Sequence, residues 1–215
     1  MSEKTVQQPS SKGKLKFLIG ALIGAFLFGG VPLFVTQLLM INVVADGIPG
    51  LFIYKEHAEP DVMKRKPIKK DASVFGNGLW ARLAVTATAF AVLGLVGFYL
   101  GYAVLDSGAE DPFAVGQTMA YIIVAFSSVI NIANIRSNSL SFFKTGFKDN
   151  MALLYTMMFS LGIVALTAII PPIMPTFATV PVSSMHWLIM IALSLPILFV
   201  GETLKWLTRK KLILT

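Results

Sequence analysis

Thr36-Gln37-Leu38-Leu39-Met40-Ile41-Asn42-Val43-Val44-Ala45-Asp46-Gly47-Ile48-Pro49-Gly50 is the stretch on which the reading of this chain turns. It lies within an apolar block from about Pro32 to Tyr54. A bilayer core about 30 Å thick is crossed by roughly 20 apolar residues in a helix, so the block is long enough to span. Within it stand an amide and a carboxylate, Asn42 and Asp46, four residues apart and therefore on one helix face. Gly47 and Pro49 follow at once. Proline has no N–H and leaves the carbonyl four residues back, that of Ala45, without its helical donor. The expectation is an interrupted membrane helix whose carboxylate, amide and freed carbonyl offer hard oxygen ligands. The bland alternative is a helix–helix hydrogen bond, or a protonated Asp46 in a packed bundle.

Outward from this stretch the chain repeats the same pattern. Further apolar blocks run from about Leu15 to Gly29, Leu79 to Val104, Phe113 to Ile135, Met151 to Ile170 and Trp187 to Leu207. Of the 215 residues 55% are hydrophobic and only 13% charged, about half the charged share of a soluble domain. The predicted fold class is therefore all-α, a polytopic membrane protein with a six-helix transmembrane bundle over 15–211. A disordered tail, 1–14, is expected before it and a short end, 212–215, after it. Barrel strands are not expected, because the blocks are too long and too continuously apolar to alternate.

All 18 Lys and Arg fall in alternate connections or at the block ends beside them, Arg82 at the start of the third. Lys4, Lys12, Lys14 and Lys16 precede the first block; Lys55, Lys64, Arg65, Lys66, Lys69, Lys70 and Arg82 follow the second. Arg136, Lys144 and Lys148 follow the fourth, and Lys205, Arg209, Lys210 and Lys211 close the chain. The connections near 30–32, 105–112 and 171–186 have none. Basic residues resist translocation, so both termini are expected on the cytoplasmic side of a cell membrane. This topology accounts for the net charge of +7 without nucleic acid. The absence of cysteine excludes disulfides and thiolate metal sites. The first block also resembles a signal-peptide core, but no small-x-small cleavage site follows it, so it is expected to be retained.

Other polar residues in the blocks read as structural. Ser127, Ser128, Asn131 and Asn134 suit interhelical hydrogen bonds. His186 beside Trp187 reads as an interfacial anchor. Glu202 and Lys205 are spaced for a local ion pair, and the methionines for packing or lipid contact.

The stretch from Thr36 to Gly50 resembles the sixth transmembrane helix of P-type cation-transporting ATPases of the calcium-pump type, where the pattern is Q-L-L-W-x-N-L-x-T-D-G-x-P-A. Pro60-Asp61-Val62-Met63-Lys64-Arg65-Lys66-Pro67 is similar to the family's P-D-x-M-x-R-x-P loop. Thr118-Met119-Ala120 with Asn131 resembles the eighth helix, and Ser194-Leu195-Pro196 with Glu202, Leu204 and Lys205 the tenth. The resemblance runs from about residue 17 to 211 and implies the last six helices of such a pump.

By this resemblance Asn42 and Asp46 are the metal site, a residual site for a hard cation: Ca²⁺, Mg²⁺, Mn²⁺, Na⁺ or K⁺. The family's Thr ligand is Ala45 here, its fifth-helix Asn and Glu fall near Lys14 and Phe17, and its eighth-helix Glu near Ser128. The fourth-helix carboxylate has no counterpart. Neither the phosphorylation string D-K-T-G-T nor T-G-E occurs, so no catalytic residue and no cofactor are expected. The expected role is a non-catalytic subunit, modulator or split-pump half in cation transport. Its partners would be the lipid bilayer and a P-type ATPase or the missing N-terminal half of one. The alternatives are a passive cation pathway through Asn42 and Asp46, or a remnant without transport activity.

Overall fold

The computed structural model describes residues 33–56, 79–105, 111–136, 141–142, 146–147 and 150–209. The first apolar block, both termini and most of the loop near 55–78 lie outside the described residues. The described segments are helices with short turns between them, and no strand occurs among them. Helix α1 spans Val35–Lys55, α2 Leu79–Leu105 and α3 Pro112–Ile135. Helix α4 is Met151–Leu166, α5 the single turn Met174–Phe177, α6 Ser184–Ser194 and α7 Pro196–Arg209. Helices α1, α2, α3 and the α6–α7 pair are each long and apolar enough to cross a membrane; α4 is a shorter apolar helix. The protein is an all-α membrane bundle, with helices in five of the six predicted blocks and the first block outside the described residues.

Helix α3 is the axis. In its most apolar stretch 78% of the residues are buried, against 17% for α2 and 22% for α1. Its core includes Met119, Tyr121, Ile122, Ile123 and Val129, and α1, α2, α4, α6 and α7 all pack on it. The outer faces of its neighbours carry Leu, Val and Phe toward lipid, whereas α3 is buried along most of its length, with Gln117, Thr118, Ser127, Ser128 and Asn134 among its buried residues. Small and polar residues gather where membrane helices meet, because close backbone approach and interhelical hydrogen bonds replace the hydrophobic drive that lipid removes.

The α2–α3 contact shows this most plainly. A Cβ on Gly116 would lie 2.8 Å from the Phe98 backbone oxygen, and one on Gly101 would lie 2.9 Å from the Gly116 Cα. Backbone limits the space there, so a side chain would have to part the helices.

Two expected boundaries move. The fifth block ends as helix at Leu166, four residues before Ile170, and the chain turns through 167–173 into α5. The sixth block is two helices meeting at Leu195, where Pro196 opens α7. Proline cannot donate to the preceding turn and so divides the span.

Gly116→Val is expected to lower the melting temperature of the purified protein by several degrees, the overpacking scale of about 1–3 kcal/mol. Gly162→Ala, inside α4 where an added Cβ meets nothing within 4 Å, should hold or raise it through helix propensity. Equal melting of both variants with the parent contradicts the close α2–α3 contact.

Candidate functional site

Helix α1 does not break at Asp46-Gly47-Pro49, contrary to expectation. It runs as α-helix over Val35–Met40, as π-helix over Ile41–Gly47, again as α-helix over Ile48–Phe52, and ends in a 3₁₀ turn at Ile53–Lys55. A π segment closes its hydrogen bonds five residues apart instead of four, and such bulges recur at functional sites. The wider register changes which carbonyl Pro49 deprives. Five residues before it is Val44, not Ala45, and the Val44 carbonyl accepts a hydrogen bond from Ser160 Oγ on α4 at 2.8 Å. Ser160 is fully buried, as is Ala45. The orphaned backbone group thus finds its donor on a neighbouring helix.

Asn42 and Asp46 both lie on the exposed side of α1. They do not bond to each other. Asn42 Nδ2 donates to the Leu38 carbonyl at 2.9 Å, one turn back along its own helix. Asp46 Oδ1 accepts a hydrogen bond from Ser128 Oγ on α3. The carboxylate is therefore turned toward the central helix, at the edge of the α1–α3 seam, with the rest of its surface open. Ser128, which the resemblance treats as a lost ligand, is the group that orients Asp46. No cluster of three His, Asp or Glu suited to a metal occurs among the described residues. The pair can supply two or three oxygens to a cation, fewer than the six to eight that Ca²⁺ takes.

The remaining sequence expectations divide. Asn131 Oδ1 accepts from Asn134 Nδ2 at 3.1 Å, and Asn134 also donates to the Ile197 carbonyl of α7 at 2.9 Å, as interhelical glue. Glu202 pairs with Lys205 at 3.2 Å, with Lys205 almost wholly buried. His186 is buried, its Nδ1 2.6 Å from Ser183 Oγ.

Three partners escape a reading of the sequence. Gln37, fully buried, accepts from the Phe34 N–H at 2.9 Å and donates to the Phe177 carbonyl at 2.8 Å, tying the start of α1 to α5. At the opposite end Glu56 and Arg136 form a two-pronged ion pair, with N···O distances of 2.9 and 2.6 Å. Asn150 caps α4 through the Leu153 N–H at 3.1 Å and also donates to Glu56 at 3.2 Å and to the Phe52 carbonyl at 3.1 Å. Arg136 further donates to the Gly146 carbonyl at 2.5 Å. The clamp joins the ends of α1 and α3 to the start of α4. A carboxylate just past a span and an arginine at the end of another are its only sequence signals.

The family described as cation transporting ATPase, C-terminus, matches residues 30–207. The chain belongs to this family. The calcium-transporting ATPase of Bacillus subtilis is 27% identical over 203 residues, covering 94% of this chain and 22% of that protein. Calcium-transporting ATPase 1 of Lactococcus lactis is 27% identical over 188 residues, 86% of this chain and 20% of that protein. A plasma membrane-type calcium-transporting ATPase 4 of Arabidopsis thaliana is 28% identical over 190 residues, 87% of this chain and 18% of that protein. The chain thus spans about a fifth of the length of the curated relatives it matches. In agreement with the resemblance of the sixth-helix motif, the chain corresponds to the C-terminal membrane module of calcium-type P-type ATPases.

Arg136 and Glu56 side chains are only 4% and 14% exposed. Arg136→Ala removes the two-pronged partner of the largely buried Glu56 carboxylate, and should cost about 3–5 kcal/mol, the scale of a broken buried pair. Glu56→Gln combined with Arg136→Met should recover part of that loss in thermal unfolding. A single variant as stable as the parent contradicts the clamp.

Proposed function

We propose that this protein is a membrane module of a cation-transport assembly, acting as a subunit, modulator or split-pump half, with the ATP-driven step in a companion polypeptide. The reading is supported by the family match over nearly the whole chain and carried by one structural observation. Asp46 is held by Ser128 on the axis helix but keeps an open side, next to an exposed Asn42. A carboxylate at membrane depth costs several kcal/mol unless paired, hydrated or ligated. One hydroxyl is a modest partner for it, and a cation bridged to further oxygens from another segment is a better one. The names of the relatives favour Ca²⁺ as the cargo. The distribution of Lys and Arg supports placing both termini on the cytoplasmic side of the cell membrane.

In cells making the affinity-tagged full chain, a P-type ATPase or an ATPase fragment should co-purify. Calcium accumulation by membrane vesicles carrying that assembly should fall roughly tenfold on Asp46→Asn, the scale of losing one charged ligand. Failure to capture any such partner removes the subunit role. Capture with calcium uptake indifferent to Asp46→Asn keeps the partner and removes the ion site.

A further inference from the structure

Helix α1 holds one residue more than an unbroken α-helix would need. Its bonds close five residues apart over Ile41–Gly47 and four apart on either side. Closing the wide turn into α-helix advances the chain on one side of it by one residue, about 100° of rotation and about 1.5 Å of rise. In lipid such a shift is limited by backbone groups that lose their partners. Here that obstacle is met in advance. Pro49 donates in neither register, and the carbonyl it deprives is Val44 in the wide turn and Ala45 in an α-helix. With the half after Pro49 held in place, Ala45 comes to where Val44 stood. Ser160 Oγ, fully buried on α4 and 2.8 Å from the Val44 carbonyl, then donates to Ala45 without moving.

The two halves of α1 are held unequally. After Pro49, Asn150 donates to the Phe52 carbonyl and Arg136 grips Glu56 with two bonds. Before the wide turn, among the described residues, α1 is tied to another helix by the 2.8 Å bond from Gln37 to the Phe177 carbonyl. Gln37 is the third residue of α1, so its amide reaches headgroup depth when it leaves this place, and water can serve it there. The half before Pro49 is therefore the one that moves.

We propose that α1 is a one-residue register switch, latched in the wide register by Gln37 and served in both registers by Ser160. In the α register Leu38 stands where Gln37 stood, and Asn42 where Ile41 stood. Ile41 is 6% exposed, so Asn42 passes from the open side into the bundle. Asp46 stays with Ser128, at the hinge of the movement. The switch thus adds the Asn42 amide to the open side of the carboxylate or withdraws it. It needs neither a bound cation nor a partner chain, and so is independent of the transport role.

The test uses the purified full chain, which has no native cysteine, and the rate at which a small maleimide labels single cysteines. Gln37→Leu removes the latch and leaves the moving half indifferent to register. Ile41→Cys, which then reaches the half-buried place of Met40, should label about fivefold faster, the scale of one hydrogen bond. Met157→Cys, buried on α4 outside the moving part, should label as before. An unchanged rate at Ile41→Cys overturns the proposal, and so does equal acceleration at both positions, which is general loosening. Two deletions test the register itself and need no latch variant to fold. Deletion of Val43 takes out the extra residue and keeps Gln37 and Glu56 in place, so the melting temperature should stay close to that of the parent. Deletion of Leu51, also exposed but after Pro49, pulls Glu56 from Arg136 and should lower it by about 10 °C. A Val43 deletion as damaging as the Leu51 deletion overturns the proposal. So does a Val43 deletion in which Ser160→Ala no longer destabilises as it does in the parent.

Discussion

In hydrocarbon no water is present to satisfy a backbone group, so every N–H and C=O in a span must find its partner within the protein. Pro49 in α1 violates that requirement locally, and the rest of the site follows from how the violation is resolved. The helix widens over Ile41–Gly47 instead of breaking, and the deprived carbonyl at Val44 is served by Ser160 from α4. Serving it fixes the rotation and depth of α1 against α4. The same packing brings Asp46 to Ser128 on α3. The change in the backbone pattern and the placement of the carboxylate are therefore one event, with two serines from two helices holding it in place.

Around this point the bundle is organised by a division of labour between faces. Helix α3 carries the small and polar residues through which the other helices approach it. The outer helices carry large apolar residues toward lipid. Polar clamps then close the two ends. Gln37 ties α1 to α5 at one end, and Glu56, Arg136 and Asn150 tie α1, α3 and α4 at the other. With both ends tied, α1 has little freedom to slide, and Asp46 keeps its address at the α1–α3 seam. What remains open is the side of α1 on which Asn42 and Asp46 sit.

Much of this is legible in the amino-acid sequence. Block length and hydropathy place the spans, because crossing lipid demands about 20 apolar residues whatever the fold. The Asn42–Asp46 spacing marks the segment that is irregular in the structure. The kind of irregularity is not legible, and a break is the natural expectation. Local sequence shows that Pro49 cannot donate, but the donor that meets the Val44 carbonyl, Ser160, lies far away along the chain. Glu56, Arg136 and Asn150 escape for the same reason, since each is ordinary in its own loop and is special only through partners on other helices. The axial position of α3 has a signal in its mixture of small and polar residues, which a lipid-facing helix has little use for.

The central claim is that Asp46 is turned onto the axis helix and held at Ser128. The chain has no cysteine, so a pair introduced by Asp46→Cys and Ser128→Cys can be oxidised in native membranes without background. A disulfide should form within one chain, detected as a mobility shift that a reducing agent reverses. Cross-links that join position 46 of one chain to position 46 of another would contradict the claim. So would the absence of a cross-link under conditions that join Val44→Cys to Ser160→Cys.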